Sequence, residues 1–213
     1  AENGMISNED IQDKYMVTHQ IKKDNQGNVW VINPYSEQFN HIAAVQIYNN
    51  PEHWMHIFSD NENSYMPTEI AFDKYDRGWV GFQELATQDE EQFSNCGIKA
   101  FFHNDYIYQT NIQNYEENVV WLYPSNLEDF PCDEFSSVWS LDIGAIGDQE
   151  ILWVLISTKG AQGYILDNLE LIPIYPLMYY SNIGFGKGDK IRVDSQNNAW
   201  IITRHSGIRI IKN

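Results

Sequence analysis

The chain has 213 residues, 30 Asp and Glu against 13 Lys and Arg, a formal charge of −17, and an apolar share of 43%. That length holds one large domain or two small ones with a full hydrophobic core, and an aromatic share of 14% excludes a disordered chain. The charge argues against nucleic acid and anionic membrane as partners, since both select basic faces, and no run approaches the roughly 18 apolar residues of a membrane span.

The chain opens Ala1-Glu2-Asn3-Gly4, with no initiator Met, basic n-region or apolar h-region. Removal of a signal peptide leaves such a start, and so does a cut from a longer protein. Internal repeats decide the rest, and one is present. Asp24-Asn25-Gln26-Gly27-Asn28-Val29-Trp30, Asp73-Lys74-Tyr75-Asp76-Arg77-Gly78-Trp79 and Asp194-Ser195-Gln196-Asn197-Asn198-Ala199-Trp200 each place Trp six residues after Asp and follow it with Val or Ile. A looser copy runs from Asp142 through Gly147-Asp148 to Trp153, eleven residues on, and reads as a stretched turn.

Short alternating apolar stretches precede each Asp: Ile21, then Ile70 and Phe72, then Val138 and Leu141, then Ile191 and Val193. Period-two alternation marks half-buried strands. After three of the Trp residues a Gly opens another apolar stretch, at Gly97, Gly163 and Gly207; in the first unit the equivalent is Ala44 to Tyr48, without the Gly. Trp54 to Phe58 and Leu169 to Ile174 supply further strands. Each unit therefore reads as a four-stranded antiparallel sheet. The Trp spacings are 49, 74 and 47 residues, and two of them fit a propeller blade of roughly 40–50 residues. Insertions at 83–95 and 111–133 fill the long interval, the second with an apolar run Val119 to Tyr123 that could mark a degenerate fifth unit. The expected fold is all-β, one β-propeller-like domain over 1–213 with approximate repeats 8–62, 63–110, 111–170 and 171–213, and no sustained helical period.

The residues of the motif have structural reasons. An Asp side chain fixes a turn by accepting backbone N–H groups two residues on. Gly27, Gly78 and Asn197 or Asn198 suit the positive φ of tight turns. The Trp offers a large face to bury between sheets, and Gly207 and its counterparts allow close backbone approach. Calcium loops match poorly, because the following Gly and the distant bidentate Glu are missing, so no metal is expected.

The motif D-x-x-G-N-x-W-V followed by G-I/L resembles the two-component regulator propeller repeat, most closely at Asp24 to Val31 and at Asp194 to Ile201 with Ser206-Gly207-Ile208-Arg209. Such repeats form the periplasmic sensor region of hybrid two-component histidine kinases and related propellers of type IX secretion surface proteins. The resemblance implies one blade per repeat and an exported bacterial protein, periplasmic or at the cell surface. Four units are fewer than such rings carry, and the last stops after its third strand. The expectation is a partial propeller or fragment, with Asn8 to Val17 available to close the sheet, or two chains completing one ring. Open blade edges would favour self-association.

Candidate chemistry is sparse. His53 and His56 point to opposite faces of a strand, no G-x-S-x-G elbow exists, and Gly184 to Gly188 lacks the Walker pattern. Cys96 and Cys132 read equally well as one bridge or two free thiols. No catalytic residue and no cofactor is expected. Aromatic residues near turns and strand ends, Tyr35, Trp54, Tyr65, Tyr115, Trp139, Tyr179 and Tyr180, suit stacking on sugars or gripping a peptide, although most would pack between blades. Arg204 and His205 after the last motif join this ligand-binding set. The functional expectation is a non-catalytic recognition or sensor module, with a structural scaffold or a propeller lyase or glycoside hydrolase as alternatives.

Overall fold

The structure is a computed structural model that describes residues 18–32, 41–46, 54–58, 66–83, 97–102, 122, 137–156, 160–174, 189–204 and 207–212. Every described element is a strand. The first sheet runs β1 (Gln20–Lys23), β2 (Val29–Ile32), β3 (His41–Gln46) and β4 (Trp54–Phe58) in spatial order. The second holds β5 (Met66–Phe72), β6 (Arg77–Gln83) and β7 (Ile98–Phe102). The third holds β8 (Val138–Ile146), β9 (Gln149–Ile156), β10 (Gly160–Asp167) and β11 (Glu170–Pro173), and the fourth β12 (Lys190–Val193), β13 (Ala199–Thr203) and β14 (Gly207–Ile211). All neighbours are antiparallel and consecutive in sequence, so each sheet is a meander built from one repeat. The blade-type all-β fold is the expected one.

Two sheets have three strands among the described residues rather than four. In the second, Leu122 supplies the start of a fourth, since its backbone exchanges hydrogen bonds with Ala100 of β7 at 2.7 and 2.9 Å. Leu122 thus pairs with the second sheet; the rest of the apolar run Val119 to Tyr123 lies outside the described residues.

The sheets stack in chain order, each presenting its tryptophan to the next. Trp30 of β2 lies on Phe72 and Phe101 of the second sheet, with ring centroids 5.1 and 5.7 Å away. Trp79 of β6 is buried in a core shared with Val138, Leu141, Leu152 and Val154 of the third. Trp153 of β9 is buried against Ile191, Ala199 and Ile201 of the fourth. Large indole faces bury the most apolar area per residue at these seams. Glycines thin the backbone where seams close: a Cβ on Gly81 would fall 2.7 Å from Val138 Cγ1, and one on Gly144 2.6 Å from Val193 Cγ1.

The three regular motifs build one turn. Asp24 Oδ1 accepts the N–H of Gln26 and Asn28 at 2.9 and 2.8 Å, and Oδ2 accepts Asn28 Nδ2 at 2.8 Å and Trp30 Nε1 at 2.9 Å. Asp73 repeats this with Tyr75 N, Arg77 N, Arg77 Nε and Trp79 Nε1. Asp194 repeats it with Gln196 N, Asn198 N, Asn198 Nδ2 and Trp200 Nε1. One carboxylate thus closes the turn and orients the indole, which explains the offset of six. The fourth residue of each turn takes the left-handed conformation: Gly27, Asp76 and Asn197, at φ of 95°, 59° and 62°. Gly78, expected to serve that role, lies instead in β6. There a Cβ would meet Phe101 at 2.7 Å, so its bareness admits the ring that carries Trp30.

The third blade departs from the motif. Asp142 lies within β8, opposite Trp153 of β9, and the reversal comes five residues later at Gly147-Asp148. The interval is long because the strands are long, not because the turn is stretched. Asp142 is consequently released for a different task.

Candidate functional site

The first strands of the four sheets lie side by side: β1 packs on β5, β5 on β8 and β8 on β12. Their side chains on the tryptophan-bearing face meet along this inner seam. Four residues before the motif Asp stand Gln20, Glu69 and Lys190, and two residues before it Lys22, Ala71 and Arg192. These are alternate positions of short strands, so they project together.

Glu69 is fully buried and is the hub. Arg192 Nη2 donates to Oε1 at 2.6 Å and Nη1 to Oε2 at 2.8 Å, a two-pronged clamp. Lys190 Nζ donates to Oε1 as well, while Ser140 Oγ and the Leu141 N–H donate to Oε2. The Ser140 hydroxyl in turn accepts the Ile191 N–H at 3.0 Å. Burial alone would push the Glu69 carboxyl upward, but the Arg192 and Lys190 charges and hydrogen bonds outweigh it and hold the group below its ordinary value. Burial would likewise lower Arg192, and Glu69 more than reverses that.

The freed Asp142 makes a second junction. It accepts Lys22 Nζ at 2.7 Å on Oδ1 and the Val193 N–H at 3.0 Å on Oδ2. All three ion pairs skip a blade: Lys22 to Asp142 ties the first sheet to the third, and Glu69 to Lys190 and Arg192 ties the second to the fourth. The cluster sets three cations against two carboxylates, a local surplus of +1 in a chain of −17. Side chains of Lys22, Lys190 and Arg192 remain about one-third exposed, at 31%, 32% and 36%. Each ammonium has three N–H donors, and one is used here, so both lysines keep donors for a further acceptor.

Two residues from the sequence-based ligand set stand on the strands that build this cluster or next to them in the chain. Trp139, half-buried at the bulge of β8 between Val138 and Ser140, has its Nε1 buried without a partner. Arg204, just past β13, donates its backbone N–H to Asp189 Oδ1 at 3.0 Å and its Nε to the same atom at 3.4 Å. Asp189 is the residue before Lys190 and is buried. Trp54 lies in β4. Tyr35, Tyr65, Tyr115, Tyr179, Tyr180 and His205 fall outside the described residues, as do Cys96, Cys132, Asn8 to Val17 and the glycines 184–188. No group of three metal-ligating side chains occurs among the described residues, and no described helix is long and apolar enough to cross a membrane.

Lys22, Glu69, Ser140, Lys190 and Arg192 escape a reading of the sequence as candidates. Alternation alone assigns the polar members of a strand to solvent. The available signal is their recurrence at fixed offsets ahead of the motif Asp.

No family model and no curated protein matches the sequence. Solved structures do. PorZ, an essential bacterial surface component of the type-IX secretion system of Porphyromonas gingivalis, matches with a TM-score of 0.57 and 15% identity over 95% of this chain and 26% of its own. The extracellular domain assigned to the hybrid two-component system BT4673 of B. thetaiotaomicron matches with a TM-score of 0.50 and 14% identity over 94% of this chain and 22% of its own. The chain spans about a quarter of the length of each. The likeness is one of fold: the four sheets are blades of the β-propeller type.

Proposed function

We propose that this chain is a non-catalytic recognition segment of a longer exported propeller protein of the two-component or surface type, and that it binds a glycan or peptide through a carboxylate at the inner-strand cluster. The observation that carries the reading is the local positive surplus of Lys22, Lys190 and Arg192, all partly exposed. Cations with donors to spare suit an acidic sugar or an acidic side chain. The likeness in fold to a two-component extracellular domain and to PorZ supports placement outside the cytoplasm.

An enzyme reading finds less support. Glycosidic chemistry needs one carboxyl kept protonated and one free to attack or to activate water, whereas Glu69 and Asp142 are both occupied by cations. A scaffold reading is favoured by one specific feature, the three ion pairs that bind alternate blades together.

Calorimetry against matched acidic and neutral oligosaccharides and peptides tests the proposal. Binding of the acidic member only, weakened ~10-fold or more in Lys190→Ala and Arg204→Ala under conditions where circular dichroism shows each variant folded, is expected. Equal binding of both members, or none by either, would leave the scaffold reading. Turnover that disappears in His205→Ala would restore the enzyme reading.

A further inference from the structure

The β5–β6 turn of the second blade meets two elements of the third. The Lys74 N–H donates to Glu150 Oε1, at the start of β9, at 2.8 Å, and Arg77 Nη1 reaches Asn168 Oδ1 in the β10–β11 turn at 3.2 Å. These residues belong to the second and third blades alone, and none is part of the inner-strand cluster.

Two polar atoms at this junction are buried with no hydrogen-bond partner among the described residues. They are Arg77 Nη2, on a residue only 1% exposed, and Glu150 Oε2. Buried polar atoms are otherwise paired almost throughout folded proteins. The two are complementary in kind, one a donor and the other an acceptor. The Arg77 charge acts on the Glu150 carboxyl, yet the bonds each side chain makes go elsewhere, to Asp73 and Asn168 and to the Lys74 backbone. Burial, opposed by the Lys74 bond and reinforced by the Asp73 charge, pushes that carboxyl above its ordinary value.

Tyr75 stands over the same guanidinium, its ring centroid 5.1 Å from Arg77 Cζ, and is 55% exposed. The cation on its buried side holds the ring as a plate, with the exposed Lys74 Nζ 5.1 Å from the centroid. The neighbouring turn of the first blade adds polar side chains. Gln26 Nε2 donates to Asp76 Oδ2 at 3.4 Å, and Asn25 Nδ2 donates to the Asp73 carbonyl at 2.8 Å.

Charge selects the ligand. Glu150 opposes an anion and Arg77 opposes a cation. A neutral hydroxyl accepts from one and donates to the other, so it satisfies both. The exposed plate calls for an apolar C–H face beside that hydroxyl, and a pyranose ring carries both. We infer that the β5–β6 turn binds a neutral sugar, stacked on Tyr75, with one hydroxyl bridging Arg77 Nη2 and Glu150 Oε2. Tyr75 and Lys74 are exposed turn side chains, and a rotamer change in them opens the way to the buried pair. The site takes neutral rather than acidic sugar, so it stands or falls separately from the inner-strand cluster.

One sugar ring over one tyrosine binds at ~1 mM or weaker, a range that NMR reads residue by residue. The 213-residue chain is titrated with glucose, galactose, mannose and N-acetylglucosamine. At least one sugar should give saturable shifts of the Lys74 and Tyr75 amides and of the Arg77 guanidinium. It should also lower the titration midpoint of the Glu150 carboxyl, because a hydroxyl donor favours the charged form. Tyr75→Ala, at an exposed position, and Glu150→Gln should each weaken binding ~10-fold or more, with circular dichroism verifying that each variant folds. No saturable shift with any of these sugars overturns the inference. So do shifts that survive both substitutions, shifts confined to Lys190 and Arg192, and binding that leaves the Glu150 midpoint in place. A long-lived water between Arg77 and Glu150 with no sugar response overturns it too, since the pair then holds a structural water alone.

Discussion

Arg77 and Asp73, four residues apart in one turn, form an ion pair at 2.6 Å with both side chains almost completely excluded from solvent. The guanidinium extends further, to Asn168 Oδ1 in the third sheet at 3.2 Å, and stands over the Trp79 ring at 5.7 Å. In the other two turns an Asn occupies this position, and those turns reach neighbouring blades through other residues: Asn25 Nδ2 donates to the Asp73 carbonyl at 2.8 Å and Asn197 Oδ1 accepts the Ala145 N–H at 3.0 Å. The turn of the second blade is therefore both a local motif and a link to its neighbour.

Asp73→Ala should be the most damaging turn substitution. It strands a buried guanidinium and removes the acceptor for the Trp79 indole, for an expected loss of ~3–5 kcal/mol. Asp194→Ala, in an exposed turn with an Asn partner, should cost distinctly less. Urea unfolding of the two variants checks the order, and equal midpoints would contradict it.

Gly78→Ala should destabilise by ~1–3 kcal/mol through overpacking, since the new methyl would sit 2.7 Å from Phe101. Phe101 carries Trp30, so the near-ultraviolet dichroism of the indole should change with it. Shortening the ring in Gly78→Ala/Phe101→Leu should cost less than the sum of the single changes. Additive costs would show that the clash is not the cause.

Acid sensitivity follows from the depressed carboxyls. Hydrogen bonds from Asn198 and Trp200 hold Asp194 down at about 2, against 3.8 for the ordinary group. A depressed folded-state value means that the stabilisation is complete above 3.8 and is lost as pH falls toward 2. Glu69, lowered by Arg192 and Lys190 against its burial, has the same sign. The Trp200 indole N–H resonance should titrate with a midpoint of about 2; a midpoint near the ordinary carboxyl value would show that the bond to Asp194 does not persist in solution.

Removing the cations of the inner cluster should cost more than removing its acid. In Lys190→Met/Arg192→Met the buried Glu69 loses both partners, for an expected ~3–5 kcal/mol, and its carboxyl should titrate well above its present value. In Glu69→Gln the two cations are partly exposed and can return to water, so the loss should be smaller. Thermal melts at neutral pH decide between these, and a larger loss for Glu69→Gln would contradict the assignment of the hub.

Much of the architecture is readable before any coordinates. The six-residue offset from Asp to Trp is a local constraint: one carboxylate reaches its own turn and its own indole, so spacing alone reports it. Alternating apolar residues around it specify the strands, and recurrence specifies the number of sheets. Where these local signals fail they do so for a physical reason. Gly78 looks like a turn glycine because it follows Asp76, yet it is bare to admit Phe101, a residue 23 positions later. Asp142 looks like a turn aspartate because Trp153 follows it, yet its partners are Lys22 and Val193, which no local pattern connects to it.

What the chain determines by itself is thus the blade: its turns, the tryptophan on its face, set six residues from the motif Asp, and its strand order, set by pairing of strands consecutive in sequence. What only the tertiary structure decides is how blades meet. The polar residues of the inner strands carry no sign in the sequence of facing protein rather than water. Stacking four sheets side by side brings Glu69 within reach of Arg192, 123 residues away, and turns scattered charges into a buried hub. The same stacking covers three apolar faces and leaves Trp200, Ile202, Ile208 and Ile210 open. The distinction arises because hydrogen bonds in a turn need only neighbours in sequence, whereas burial of a face needs a partner that the fold must deliver.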